Sequence, residues 1–170
     1  MRFSTLSELI RLCEQEAVPI GRLMLMEQAK ETDEPEDAVF GRMREYYGVM
    51  KEAVRKGIGE APVSRSGLTG GDAKRVHDYL EAGASSLGAD TGKAMAYALA
   101  VSEVNAAMGR IIATPTAGSC GIIPGVFVST QERFGWTDDE MVYGLFCAGA
   151  IGYVIANNSF ISGAEGGGQA

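Results

Sequence analysis

Apolar residues recur at helical spacing along nearly the whole chain, and caps, prolines and glycines mark the breaks between runs. Residues 4–17 place Leu6, Leu9, Ile10 and Cys13 on one stripe, and Pro19 limits that helix. Residues 20–29 give a second helical pattern. Thr32, Asp33 and Pro35 mark a fresh start, a cap with proline in the first turn. The helix after them runs through Ala53 with Val39, Met43, Tyr46, Tyr47 and Met50 on its buried side, and Gly57, Ile58 and Gly59 form a turn.

Residues 59–71, GEAPVSRSGLTGG, carry neither a helical nor a strand period and read as a loop. Asp72 caps a short helix that ends at Gly83. Residues 91–112 are alanine-rich and helical, and the loop ATPTAGSCG follows. Pro124 stands in the first turn of the next helix. Thr137, with Glu140 three residues on, is a capping box that opens an apolar helix over residues 141–158. The last residues, SFISGAEGGGQA, are a glycine-rich tail.

No segment alternates convincingly as a strand, and none repeats. The expected fold class is all-α: a single helical domain over residues 1–170 with Gly/Ala-rich central helices and a cysteine-bearing helix–loop–helix. Small residues on the central helices predict close backbone packing. No linker divides the chain.

Composition narrows the function classes. Glycine accounts for 23 of the 170 residues, about twice its usual share of roughly 7%, which implies turns and close backbone approaches. The net charge of −7 argues against a nucleic-acid footprint and against an anionic membrane surface. The most apolar stretch, residues 141–156, is shorter than the ~18 apolar residues of a typical span. The start shows no secretory pattern, and three cysteines form no disulfide framework. Together these predict a cytoplasmic setting with neither nucleic acid nor membrane as partner.

The segment richest in chemistry is 105–126, NAAMGRIIATPTAGSCGIIPGV. Cys120 sits just before a helix, where backbone N–H groups favour anions and lower a thiol's pKa. Thr114, Thr116 and Ser119 are placed to hold a small polar ligand beside it. From spacing alone, a helix–loop–helix turn around a buried cysteine is the favoured account of the pattern.

As a motif, the run resembles the signature of the iron–sulfur-dependent L-serine dehydratases, a loop of the form Pro-Thr-x-Gly-x-Cys-Gly-Ile-x-Pro before a helix. Pro115, Thr116, Gly118, Cys120, Gly121, Ile122 and Pro124 match it, and Asn105, Ala106, Ala107, Gly109 and Arg110 match the helix leading in. Ser64 through Asp72 resembles the family's glycine loop, and Gly149 through Gly152 with Asn158 through Gln169 resembles its next stretch. The likeness is to the separate alpha chain of the two-subunit form.

That resemblance implies a four-iron, four-sulfur cluster held by three cysteines, with one iron open to substrate. It implies β-elimination of L-serine to pyruvate and ammonia, and a beta chain as partner. Cys120 is the expected metal ligand, and Thr114, Thr116 and Ser119 the expected catalytic residues. Arg65, Ser66, Gly70, Gly71, Asn105 and Gly118 are expected to bind substrate, with Arg65 and Lys74 placed to pair with its carboxylate; read without the resemblance, the glycine loop is equally a cap and turn, and Asn105 equally a cap for backbone groups.

The chain departs from the family where the second cysteine belongs. It reads Gly163-Ala164-Glu165-Gly166-Gly167-Gly168-Gln169-Ala170, with Gly168 at the ligand position, and stops before a third. The expectation is therefore a C-terminally truncated chain that holds no cluster stably and is inactive alone. The rival is a cluster-free helical binding or regulatory module built on the same fold. A pyridoxal-phosphate enzyme is a weaker third reading, because no setting picks out Lys51, Lys56, Lys74 or Lys93. Self-association is compatible with the sequence.

The remaining candidates have plainer readings. Cys13 and Cys147 lie on apolar helices and read as core residues. His77 falls among charged residues and reads as a solvated helix face. Met24, Met26, Met43, Met50, Met95 and Met108 read as core fillers. Asn158 joins Asn105 as a polar residue near the motifs.

Overall fold

The computed structural model describes residues 1–83 and 86–159. They form seven helices: α1 (Leu6–Glu16), α2 (Ile20–Thr32), α3 (Glu36–Glu60), α4 (Asp72–Glu81), α5 (Ala89–Ala106), α6 (Ile122–Phe134) and α7 (Asp138–Asn158). Among the described residues there is no strand, and one isolated antiparallel bridge joins Val63 to Gly70. The fold is all-α. The string 163–170, with Gly168, lies outside the described residues.

The chain makes two compact units, one of Met1–Glu45 with the chain from Asp138, the other of Tyr46–Thr137. In the first, α1 opens with a capping box: the Thr5 side chain accepts the Glu8 N–H at 3.2 Å, and the Glu8 carboxylate accepts the Thr5 N–H. Sequence patterning alone missed this cap. It also rotated the stripe, since Leu9 and Leu12 are buried whereas Leu6 and Ile10 are about half exposed. Asp33 does not start α3; it ends α2 in the left-handed conformation (φ 53°), donating its N–H to Ala29. The α2 and α7 backbones meet where Gly21 lies against Tyr143, with no room for a Cβ.

By length and composition, α7 would be long enough to cross a membrane, which patterning did not anticipate; one third of its most apolar window is buried. Its buried residues are Met141, Val142, Leu145, Phe146, Ala150 and Val154.

The second unit corrects three boundaries. Gly57 is no turn. It is helical, and α3 continues to Glu60, because Gly57 is where α3 touches the Ala100 backbone of α5. Helix α5 stops at Ala106 and not at Ile112. Met108 turns left-handed (φ 63°), and Gly109 donates its N–H back to the Val104 carbonyl at 2.8 Å, closing the helix end. Helix α4 ends at Glu81, with Gly83 beyond it at φ 72°. Met108 and Met95 are exposed rather than core, as is Tyr46, whereas Met24, Met50 and Tyr47 are buried.

Helices α5 and α6 pack through small residues. A Cβ at Gly121 or Gly125 would collide with the backbone of Ala98 or Ala94. This close approach fixes where the residues ahead of α6 must lie.

Candidate functional site

The site is built on the last turn of α5. On one side Asn105 donates its Nδ2 hydrogen to the Ala117 carbonyl at 3.1 Å, holding the 107–121 loop. The loop contains a cis Thr114–Pro115 peptide and closes on its own hydroxyls. Ser119 Oγ donates to the Thr114 carbonyl at 2.8 Å and lies 2.9 Å from Thr116 Oγ1. The Ser119 N–H donates to Thr116 Oγ1 at 3.2 Å, and Thr114 Oγ1 donates to the Ser119 carbonyl at 3.3 Å. Thr116 and Gly118 face solvent. The three candidate hydroxyls are therefore together, and all three serve the loop's internal bonding.

Cys120 follows this cluster with 0% exposure. Its position ahead of α6 suggests a lowered thiol pKa. The structure places it otherwise: burial pushes the thiol up and outweighs the opposing backbone hydrogen bond. The reason is the α5–α6 approach, which seats the adjacent Gly121 on Ala98 and Ser102 and carries Cys120 inward.

On another side of the same turn stands Glu103, a residue that sequence reasoning missed. Its carboxylate is buried, at 6% exposure, and accepts three backbone N–H groups: Gly71 at 3.0 Å, Asp72 at 2.7 Å and Ala73 at 3.1 Å. Asp72 is not the cap of α4. The cap position is Gly71 (φ 80°), and Asp72 pairs with Arg75 at 2.7 Å. The orphan N–H groups of α4's first turn go to Glu103 instead. A visible signal existed: Glu103 falls on the α5 face that also carries Gly92 and Ala96, an acid among small apolar positions.

The glycine loop hangs from this anchor. Its base is the Val63–Gly70 bridge, and Gly70 (φ 140°) sits too close to Pro62 and Val63 for any side chain. Ser64 donates its N–H to the Thr69 carbonyl at 2.9 Å, and its hydroxyl accepts the Thr69 N–H at 3.2 Å and contacts Ser66 Oγ, also at 3.2 Å. Arg65 stands exposed in the turn, with no hydrogen bond or ion pair among the described residues. Lys74 is committed to Asp78 at 2.6 Å. The expected carboxylate seat at Gly70 and Gly71 is changed in character, because Glu103 already fills the N–H cradle.

The structure thus brings Thr114, Thr116, Gly118, Ser119, Cys120 and Asn105 into one cluster, and Arg65, Ser66, Gly70 and Gly71 into another. The two meet at α5 rather than at each other.

A family model for the serine dehydratase alpha chain matches residues 15–170. The chain belongs to this family. It is 42% identical over 168 residues to the probable L-serine dehydratase, alpha chain, of Bacillus subtilis, covering 99% of this chain and 56% of that protein. It is 35% identical over 167 residues to the L-serine dehydratase, alpha chain, of Peptoniphilus asaccharolyticus, covering 98% and 57%. Over 174 residues it is 34% identical to the L-serine dehydratase of Streptomyces coelicolor, covering 98% of this chain and 37% of that protein. The chain spans little more than half the length of the Bacillus and Peptoniphilus alpha chains.

For this serine dehydratase alpha chain relative, the implied cluster can be tested against the donor set. Iron–sulfur clusters are held by several thiolates. Among the described residues no group of three His, Cys, Asp or Glu side chains assembles, and Cys120 is a single sequestered thiol. Cys13 and Cys147 belong to the other unit, and burial raises both thiols, with Cys147 adding to the shift of Cys13. The described residues do not by themselves fit a cluster.

Away from these loops, His77 is half-buried rather than fully solvated. It stacks on Tyr97, with ring centroids 6.3 Å apart, beside a cavity of about 420 Å³ that Lys93, Ser129 and Glu132 also line. Burial and the Glu132 hydrogen bond together push the Tyr97 hydroxyl's pKa up.

Proposed function

We propose that this chain is a catalytic portion of an L-serine ammonia-lyase, acting with a serine dehydratase beta chain. L-serine loses its α-proton and its β-hydroxyl, the latter leaving as water. The aminoacrylate so formed tautomerises to an imine, which water hydrolyses to pyruvate and ammonia. In the resemblance, an iron–sulfur cluster supplies Lewis acidity for the departing hydroxyl when bound. Cys120 is the residue of the matching loop that would give it a thiolate.

The chain's own groups have narrower tasks. Arg65, exposed and without a partner among the described residues, pairs with the substrate carboxylate in a bidentate fork. Ser66 lies beside it. Thr116 and Gly118, on the open face of the other loop, contact the polar end of the substrate. Asn105 holds that loop in register. Thr114 and Ser119 keep its shape, and engage substrate only after their mutual hydrogen bonds are exchanged.

The observation that carries this reading is likeness across 99% of the chain to a probable L-serine dehydratase alpha chain, with the Cys120 loop folded on α5. The test is pyruvate formation from L-serine under anaerobic conditions, after reconstitution with iron and sulfide, with and without a beta chain. Turnover that needs the beta chain supports the proposal. Absence of turnover under every condition, from a folded chain, overturns it.

A second reading is favoured by the single thiol: a cluster-free module that binds L-serine without turning it over. Calorimetric titration of the iron-free chain with L-serine separates the two. Binding without turnover after reconstitution selects the module.

A further inference from the structure

We infer that Glu103 is the positioning residue of this site, fixing the glycine loop, and with it Arg65, relative to the cysteine loop. The inference rests on the substrate-binding reading proposed above.

Three observations carry it. First, the carboxylate is buried, comes from a different helix, and gives its two oxygens to three consecutive N–H groups. Capping α4 alone would be met by a Ser, Thr, Asp or Asn at the cap position. That position is Gly71, and the neighbouring Asp72 turns away to Arg75. The cap has been moved onto α5, so it ties two segments together as well as ending a helix.

Second, the tie lands at the base of the loop. Gly71 follows the Val63–Gly70 bridge directly, and inside that bridge the loop is cross-bonded from Ser64 to Thr69. A displacement at Gly71 therefore moves the turn that carries Arg65 as one piece. Third, Glu103 lies two residues before Asn105, the anchor of the other loop. One turn of a helix rises only ~5.4 Å, so both halves of the site take their position from one rigid segment.

Glu103 contacts no substrate in this arrangement; it acts through the loop. A glutamine in its place has nearly the same volume but only one acceptor oxygen, and its NH₂ group faces N–H donors. The loop then loses its register while α5 keeps its packing.

The test is a double-mutant cycle on the full 170-residue chain, read as the dissociation constant for L-serine. Four chains are compared: unaltered, Glu103→Gln, Arg65→Ala and the double variant. Helicity by circular dichroism is checked in each. If Glu103 acts through Arg65, each single variant weakens binding about tenfold and the double variant is also about tenfold weaker, not about a hundredfold. Additive losses would mean that Glu103 contributes only general stability, and would overturn the inference. So would a folded Glu103→Gln chain that binds L-serine as the unaltered chain does. Where Glu103→Gln does not fold, Glu103→Asp, which keeps the charge and shortens the reach, takes its place under the same criteria. Failure of the unaltered chain to bind L-serine sinks the substrate reading and the inference with it. Failure of the inference alone shows only in the variants.

Discussion

Asn105 donates its side-chain N–H to the Ala117 carbonyl at 3.1 Å, twelve residues along the chain. This bond pins the middle of the cysteine loop to the last turn of α5. Replacing Asn105 with Asp removes the donor and sets a negative charge against the carbonyl. The expected loss of stability is modest, about 1 kcal/mol, because a net hydrogen bond contributes that much. The local effect is larger. Amide hydrogen exchange at Thr116, Ser119 and Cys120, whose N–H groups are bonded within the loop, should accelerate, while exchange within α5 is unchanged. Unaltered exchange in the loop would show that its own hydroxyl bonds hold it without Asn105.

Helix-borne glycines on α3 should respond to alanine in opposite directions. Gly57 is buried against the Ala100 backbone, whereas Gly48 has open space around its Cβ position. Gly57→Ala should destabilise by about 1–3 kcal/mol through overpacking. Gly48→Ala should stabilise by roughly 0.5–1 kcal/mol through reduced chain entropy. Thermal unfolding of the two variants gives the signs. A neutral Gly57→Ala would mean that α3 and α5 can move apart there at no cost.

These cases show what was legible in the sequence. The helices could be read because their apolar stripes and breaks are local. The cysteine loop could be read because its residues adjoin in sequence, and Thr114, Thr116 and Ser119 do cluster. Glu103 was hidden, because it caps a helix that begins thirty-one residues earlier in the chain. Gly57 read as a turn because a glycine at a helix–helix contact and a glycine in a turn look alike. Cys120 read as an electropositive thiol because its burial is decided by how closely α6 approaches α5. In each case the missing information was a tertiary distance.

The pH dependence of the first unit should carry the mark of Glu34. Two hydrogen bonds from Arg42, at 2.9 and 2.7 Å, are the main cause that holds its carboxyl down to about 2, against an ordinary 4.5. The unfolded chain therefore binds more protons between these values, so stability falls as pH drops through that window. The contribution is fully present above about pH 4.5 and is gone below about pH 2. Melting curves of the unaltered chain and Glu34→Gln should differ at pH 6 and converge as the pH approaches 2. The difference should also shrink at about 1 M salt, because the pair is half-exposed and partly screened. A difference that persists at pH 2 would place the effect elsewhere than in this ion pair.

The burial of Cys120 makes a kinetic prediction that bears on function. Its side chain is fully enclosed, whereas Cys13 and Cys147 are partly accessible. Alkylation of the native chain with iodoacetamide, followed by peptide mass spectrometry, should label Cys120 last. Its rate should be set by opening of the 107–121 loop rather than by thiol chemistry, because a buried group reacts through local unfolding. Asn105→Asp, which loosens that loop, should then accelerate labelling at Cys120 and leave Cys13 and Cys147 unchanged. Such selective acceleration would mean that any ligand of Cys120 gains access by opening the loop at its Asn105 anchor. Labelling of Cys120 in the unaltered chain as fast as Cys13 would mean instead that the closed loop is only one of its populated states, and that the thiol is available without remodelling.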